Sequence, residues 1–155
     1  RAMIEFLYST GVRVSEMAAL DVKDIEMGRQ ELIVYGKGSK ERKTYLTDSA
    51  KFYLKRYLKD RKAQDSEPLF GAEHHPDRRL TVAGIQYMLR QLGARAGVEK
   101  THPHRFRRTI ATDLLARGMP KEQVKEFLGH EKLDTTLIYC TVKEEQVKAS
   151  HRKYA

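Results

Sequence analysis

Apolar positions recur at helical spacing along most of this chain. Residues 2–10 (AMIEFLYST) predict a helix, stopped by Gly11 where a left-handed residue ends helices. Residues 15–20 predict a second, short helix. The pattern changes between Glu26 and Thr47. Leu32, Ile33, Val34 and Tyr35 are strand formers, and Lys43-Thr44-Tyr45-Leu46-Thr47 follows after Gly36-Lys37-Gly38-Ser39, which predicts a hairpin with a Gly-rich turn. A further strand is expected over residues 24–27, before a turn at Gly28. The strands are few and clustered, so the sheet is expected to be small and antiparallel.

Helical patterning then returns. Asp48 is the expected cap of a segment reaching about residue 63, with Leu54, Tyr57, Leu58 and Arg61 at helical spacing. Residues 65–80 read as a loop broken by Pro68, Gly71 and Pro76. Thr81 caps the next helix, on which Val82, Ile85, Leu89 and Leu92 form one stripe, and Gly93 and Gly97 loosen its end. Pro103 opens a helix to about residue 117, ended by Gly118. Pro120 is expected at the first position of another, ended by Gly129. Asp134 can cap a helix carrying Leu137, Ile138 and Tyr139, and residues 143–154 predict a last charged helix. No repeat, low-complexity tract or linker divides the chain. The expected fold is a single mainly α domain (α+β) over residues 1–155, with a small three-stranded antiparallel sheet.

At 155 residues the chain can bury a core without disulfides or metals. Its single cysteine, Cys140, excludes an internal disulfide, cannot form a zinc cluster alone, and suits a reducing cytoplasm. There is no signal-peptide pattern and no apolar run of membrane-spanning length, so a cytoplasmic protein without a membrane partner is expected. The chain opens at Arg1 already in a helical pattern, which suggests the C-terminal part of something longer. The formal net charge is +9. Residues 1–50 hold 8 basic and 8 acidic residues, residues 51–100 hold 11 and 6, and residues 101–155 hold 11 and 7. The excess favours a polyanion, above all nucleic acid, although its spread also fits a solvated lysine-rich surface.

The candidate chemistry narrows the field. His74-His75, His102 and His104 are the close histidine groupings, and no cysteine or carboxylate cluster joins them at ligand spacing, so no metal is expected. Gly36-Lys37-Gly38 joins two strands rather than a strand and a helix, which argues against a nucleotide-binding P-loop. Ser15 and Ser39 have no identifiable histidine partner for a nucleophile. In Pro103-His104-Arg105-Phe106-Arg107-Arg108-Thr109, His104 and Arg107 stand at i and i+3, on one face at the start of a helix. An arginine there can grip a phosphate through two parallel N–H bonds, with the helix N-terminus adding favourable potential. His102 and Arg105 have the same spacing, so the residues alone leave the register open. Residues 109–130 also read as a helix-turn-helix around Gly118-Met119-Pro120, with Lys121, Gln123 and Lys125 outward, which would make a DNA-binding module without catalysis.

Four separated motifs carry a more specific signal when taken in order. They are Thr10-Gly11-Val12-Arg13-Val14-Ser15-Glu16, then Gly36-Lys37-Gly38-Ser39-Lys40-Glu41-Arg42, then the Pro103–Thr109 box, then Leu128-Gly129-His130 followed by Thr135-Thr136-Leu137-Ile138-Tyr139. Their order and spacing, including nine residues from His130 to Tyr139, closely resemble the catalytic domain of the tyrosine recombinases, or phage-type integrases. The resemblance spans nearly the whole chain.

The resemblance implies site-specific DNA cleavage and rejoining, as in integration or excision of a mobile element. Arg13 and Arg107 match the two catalytic arginines, Lys37 the hairpin lysine, and His104 the histidine of the His-x-x-Arg box, which settles the register against His102. His130 matches the late histidine, Tyr139 the nucleophile and Glu16 a supporting acidic position. Arg108 departs from the second histidine of many relatives, which bears on subtype. Lys40, Arg42, Arg78, Arg79 and Arg108 are expected to contact DNA. In the implied reaction the Tyr139 oxygen attacks a phosphodiester, giving a 3′-phosphotyrosyl link and a free 5′-hydroxyl, with no cofactor, metal or ATP. A phenol with a pKa near 10 needs activation or a stabilised transition state. Arg13 and Arg107 would offset charge on the phosphorane, Lys37 would protonate the leaving oxygen, His104 would move the nucleophile's proton, and His130 would hydrogen-bond the phosphate. The family adds an N-terminal core-binding domain, expected to lie outside this stretch of sequence, and assembles as a homotetramer on double-stranded DNA. A monomer is expected for this chain alone, and residues 143–155 are the candidate exchange segment. The alternatives are a non-catalytic DNA-binding module on the same scaffold and a type IB topoisomerase-like enzyme. Tyr154 is the fallback nucleophile.

Overall fold

The computed structural model describes residues 1–36 and 41–129. Helix α1 (Ala2–Thr10) buries Met3, Phe6 and Leu7, a 3–4 spacing that puts them on one face. It stops at Gly11, whose φ of 57° lies in the left-handed region and whose N–H bonds the Leu7 carbonyl at 3.1 Å. Helix α2 (Val14–Ala19) starts immediately afterwards. A 3-10 turn (Val22–Asp24) leads into the sheet of β1 (Ile25–Glu26), β2 (Glu31–Tyr35) and β3 (Glu41–Tyr45), antiparallel in the order β1-β2-β3. Four helices follow: α3 (Asp48–Arg61), α4 (Val82–Arg95), α5 (Pro103–Ala116) and α6 (Lys121–Leu128). The expected mainly α fold with a small three-stranded sheet is therefore present.

Several helix details differ from the sequence-based expectation, α2 among them, which runs over Val14–Ala19 rather than 15–20. Thr47, not Asp48, caps α3, because its hydroxyl accepts the Ala50 N–H at 3.3 Å while Asp48 is already helical. Pro120 is the cap of α6 rather than its first residue. Helix α4 continues through the buried Gly93 to Arg95, where the chain folds back and the Val98 N–H reaches the Gly93 carbonyl at 2.8 Å. The predicted loop over 65–80 is a loop, held by Arg61, which donates to the carbonyls of Pro68 (2.7 Å) and Pro76 (3.1 Å).

The register of the hairpin decides which side chains face inward. Val34 pairs with Arg42 and Leu32 with Thr44. Leu32, Val34 and Thr44 are buried, whereas Ile33, Tyr35 and Tyr45 are exposed, so the period-2 alternation places Arg42 on the covered face. Three polar bonds fix this hairpin to the end of α1. Thr44 Oγ1 donates to the Thr10 carbonyl at 2.7 Å. Ser9 Oγ donates to the Tyr45 carbonyl at 3.0 Å and accepts the Thr47 N–H at 2.7 Å.

Two hydrophobic clusters result. The larger joins α1, α2, the sheet, α3 and α4 around Phe6, Leu7, Met17, Leu32, Leu54 and Leu89. The smaller holds α5 to α6 through Ile110, Ala111, Val124 and Leu128, with Tyr8 of α1 packed against it. Gly11 sits where they meet, since a Cβ there would lie 2.7 Å from Leu128 Cδ2. Gly11→Ala combines a disfavoured backbone with overpacking and is expected to cost about 1–3 kcal/mol. The checking measurement is the urea midpoint of unfolding.

Candidate functional site

The end of α6 is the meeting point of the site. An eight-residue helix leaves its last carbonyls without intrahelical partners, and its C-terminus carries partial negative charge. Here three arginines from three different elements supply the donors. Arg42 of β3 donates to the Phe127 carbonyl at 2.9 Å, Arg107 of α5 to the Leu128 carbonyl at 2.8 Å, and Arg13 to the Gly129 carbonyl at 2.8 Å. Arg107 also donates to the Gly11 carbonyl, so it bridges the turn after α1 and the end of α6.

Glu16 is the counter-ion inside this cluster. Its side chain is 2% exposed and accepts from Arg13 NH1 at 2.9 Å, from Arg42 NH2 at 2.6 Å and from the Arg13 backbone N–H at 2.7 Å. The last contact closes a capping box at the start of α2. Burial pushes the Glu16 carboxyl up, but the Arg13 backbone N–H, the Arg42 charge and the Arg13 side chain together hold it below the ordinary glutamate value. Two of the three guanidinium groups at the end of α6 thus share one carboxylate. The surplus positive charge, set against α6, is a field suited to an anion.

The eight expected site residues that are described fall into distinct environments. Arg13 is the most open of the three cluster arginines, with 37% of its side chain exposed. Arg107 is buried, and His104, three residues earlier in the first turn of α5, is exposed, so the two share a helix but not an environment. Arg78 and Arg108 are exposed. Arg79 ties the loop to the end of α2 by donating to the carbonyls of Ala18 (3.0 Å) and Leu20 (2.9 Å) and pairing with Asp21. Arg42 requires a correction. It was expected at a DNA phosphate, but its side chain is only 10% exposed and engages Glu16 and Phe127. The alternation that buries Thr44 and Leu46 was the sequence signal for this inward position. Lys37, Lys40, His130, Tyr139 and residues 143–155 lie outside the described residues.

The Glu16 geometry sets a pH dependence. A carboxyl held below its ordinary value, here 4.5, adds stability above that value, and the contribution is lost as pH falls through the lower folded-state pKa. Glu16→Ala leaves the largely covered Arg42 and the partly exposed Arg13 without their counter-ion and is expected to cost about 3 kcal/mol at neutral pH. The difference from wild type should narrow as the pH falls below 4.5, measured by urea unfolding across a pH series.

Similarity to known proteins agrees with this geometry. The profile described as "Phage integrase family" matches residues 1–146. Tyrosine recombinase XerC of Leptospira interrogans is 41% identical over 156 aligned positions, covering 99% of this chain and 50% of that protein. Tyrosine recombinase XerD of Oceanobacillus iheyensis is 38% identical, covering 99% of this chain and 54% of that one. The chain thus spans about half the length of the curated relatives it matches. Among solved structures, XerA recombinase superposes with a TM-score of 0.84 at 28% identity, covering 99% of this chain and 57% of that one. XerH site-specific recombinase, bound to palindromic difH substrate in a post-cleavage complex, has a TM-score of 0.77 at 27% identity, covering 97% of this chain and 44% of that one. The motifs, the fold and these similarities agree: the chain belongs to the phage integrase family and has the catalytic-domain fold of the tyrosine recombinases.

Proposed function

We propose that this chain carries the catalytic centre of a site-specific DNA recombinase that cleaves and rejoins double-stranded DNA through a 3′-phosphotyrosyl intermediate. The observation that carries the reading is the arginine cluster at the end of α6. Arg13 and Arg107 come from distant parts of the sequence and meet there, one residue before His130. Family membership and the DNA-bound XerH structure support DNA as the substrate.

In the proposed reaction the Tyr139 oxygen attacks the phosphorus and the bond to the 5′-oxygen breaks. Arg13 and Arg107 stabilise charge on the non-bridging oxygens, and their fixed positions reduce reorganisation in the transition state. Lys37, from the β2–β3 hairpin, gives its proton to the leaving 5′-oxygen. His104 moves the phenol proton, and His130 hydrogen-bonds the phosphate. Glu16 holds Arg13 in place. Lys40, Arg78 and Arg108 contact backbone phosphates. Rejoining is the reverse attack by a 5′-hydroxyl, so the phosphotyrosyl link conserves the bond energy and neither metal nor ATP takes part. The intact protein works as a homotetramer on DNA, with residues 143–155 packing on a neighbouring protomer, in a DNA-associated cytoplasmic setting. Integration or excision of a mobile element is the proposed setting, and the transposon Tn1549 integrase structure, at 21% identity and a TM-score of 0.80, shares the fold.

The test incubates the intact protein with nicked suicide substrates carrying candidate recombination sites. The expected result is a denaturation-resistant protein–DNA adduct that Tyr139→Phe abolishes. An adduct persisting in Tyr139→Phe moves the nucleophile, with Tyr154 next in line. Binding to the same DNA without an adduct overturns the enzymatic reading in favour of a non-catalytic module, and relaxation of supercoiled DNA lacking a site favours a topoisomerase.

A further inference from the structure

Arg42 is placed differently from the other hairpin cations. It lies on the covered face of β3, six residues before α3 and far in sequence from both of its partners. One guanidinium nitrogen holds Glu16 at 2.6 Å and another holds the Phe127 carbonyl at 2.9 Å. Its stem also lies against Gly129. A Cβ on Gly129 would come within 2.6 Å of Arg42 Cδ and 2.9 Å of Nε, and the φ of 64° there is already left-handed. Arg42 thereby touches the three parts that the reaction must align: the hairpin leading to Lys37, the Glu16 that holds Arg13, and the helix end leading to His130.

The geometry points to Arg42 as a positioning residue for DNA cleavage: it locks the hairpin to Glu16 and to the end of α6, so that groups on separate elements address one phosphate. The proposal rests on the recombinase reading. The planar fork of arginine suits the role because it reaches two acceptors in fixed directions, whereas a lysine offers one compact charge. The contacts run from the sheet, which belongs to the larger hydrophobic cluster, to the end of α6 in the smaller one. A residue acting in this way leaves DNA binding intact and changes the rate of chemistry. A residue on a phosphate does the opposite.

The experiment uses the intact protein with Arg42→Met and Arg42→Lys, on a DNA site that the wild type cleaves. DNA affinity is measured across a salt series, and adduct formation is measured by single-turnover cleavage of saturated complexes. Expected for Arg42→Met are an unchanged salt slope and a cleavage rate about 100-fold lower, the scale of a one-ångström misplacement. Arg42→Lys, which keeps the charge beside Glu16, is expected to fall between wild type and Arg42→Met, and it decides the matter if Arg42→Met does not fold. A salt slope smaller by about 0.9 with normal cleavage of the bound complex makes Arg42 a phosphate contact and overturns the proposal. Unchanged binding and cleavage also overturn it. Absence of any wild-type adduct instead refutes the recombinase reading. Amide exchange at residues 127–129 then still reports on Arg42: at least a tenfold rise in the variant supports the lock, and no change overturns it.

Discussion

The carbonyl end of α6 is the constraint on which the rest of this structure depends. A short helix ending inside the protein leaves acceptors that must be satisfied, and its end carries about half a negative charge. Three guanidinium groups meet it, from the α1–α2 junction, from β3 and from α5. A helix end thus becomes a junction between three elements that are distant in sequence. The buried Glu16 keeps the mutual repulsion of Arg13 and Arg42 within bounds and, through the capping box, links the cluster to the start of α2.

The surrounding fold serves to deliver these groups. Gly11 turns the chain sharply enough for Arg13 to follow α1 by three residues, and its carbonyl receives Arg107. Thr44 and Ser9 fasten the hairpin to the end of α1, which sets the height of Arg42. Gly129 admits the stem of Arg42 because it has no side chain. These are short polar and steric links rather than apolar ones, and they lie where the two hydrophobic clusters adjoin. In the proposed reaction this arginine frame holds the phosphate while Lys37 and His104 handle the protons.

The sequence by itself determined a good deal. The spacing of Phe6, Leu7, Leu54, Ile85 and Leu89 specified the helices, because burying one face requires period 3.6. The strand-rich stretch around Leu32 and Val34 and the Gly-rich turn specified the hairpin. The motifs around Arg13, Arg107 and Leu128-Gly129 marked the family, since residue identity at fixed spacing is a property of the chain. The cap at Thr47 lies one position before the expected Asp48 because the two neighbouring polar residues compete for the same helix start.

Only the tertiary structure decided where each charge goes. Arg42 and Arg78 look alike in a basic sequence, yet one is locked between Glu16 and Phe127 and the other is exposed. His104 and Arg107 share helical spacing, yet the end of α6 lies only over Arg107. The meeting of Arg13, Arg42 and Arg107 depends on contacts spanning 85 to 116 residues for Arg42 and Arg13, and 21 for Arg107. Local pattern reports which face of an element is apolar. It does not report which distant carbonyl or carboxylate will lie opposite a guanidinium, because that is set by how whole elements pack.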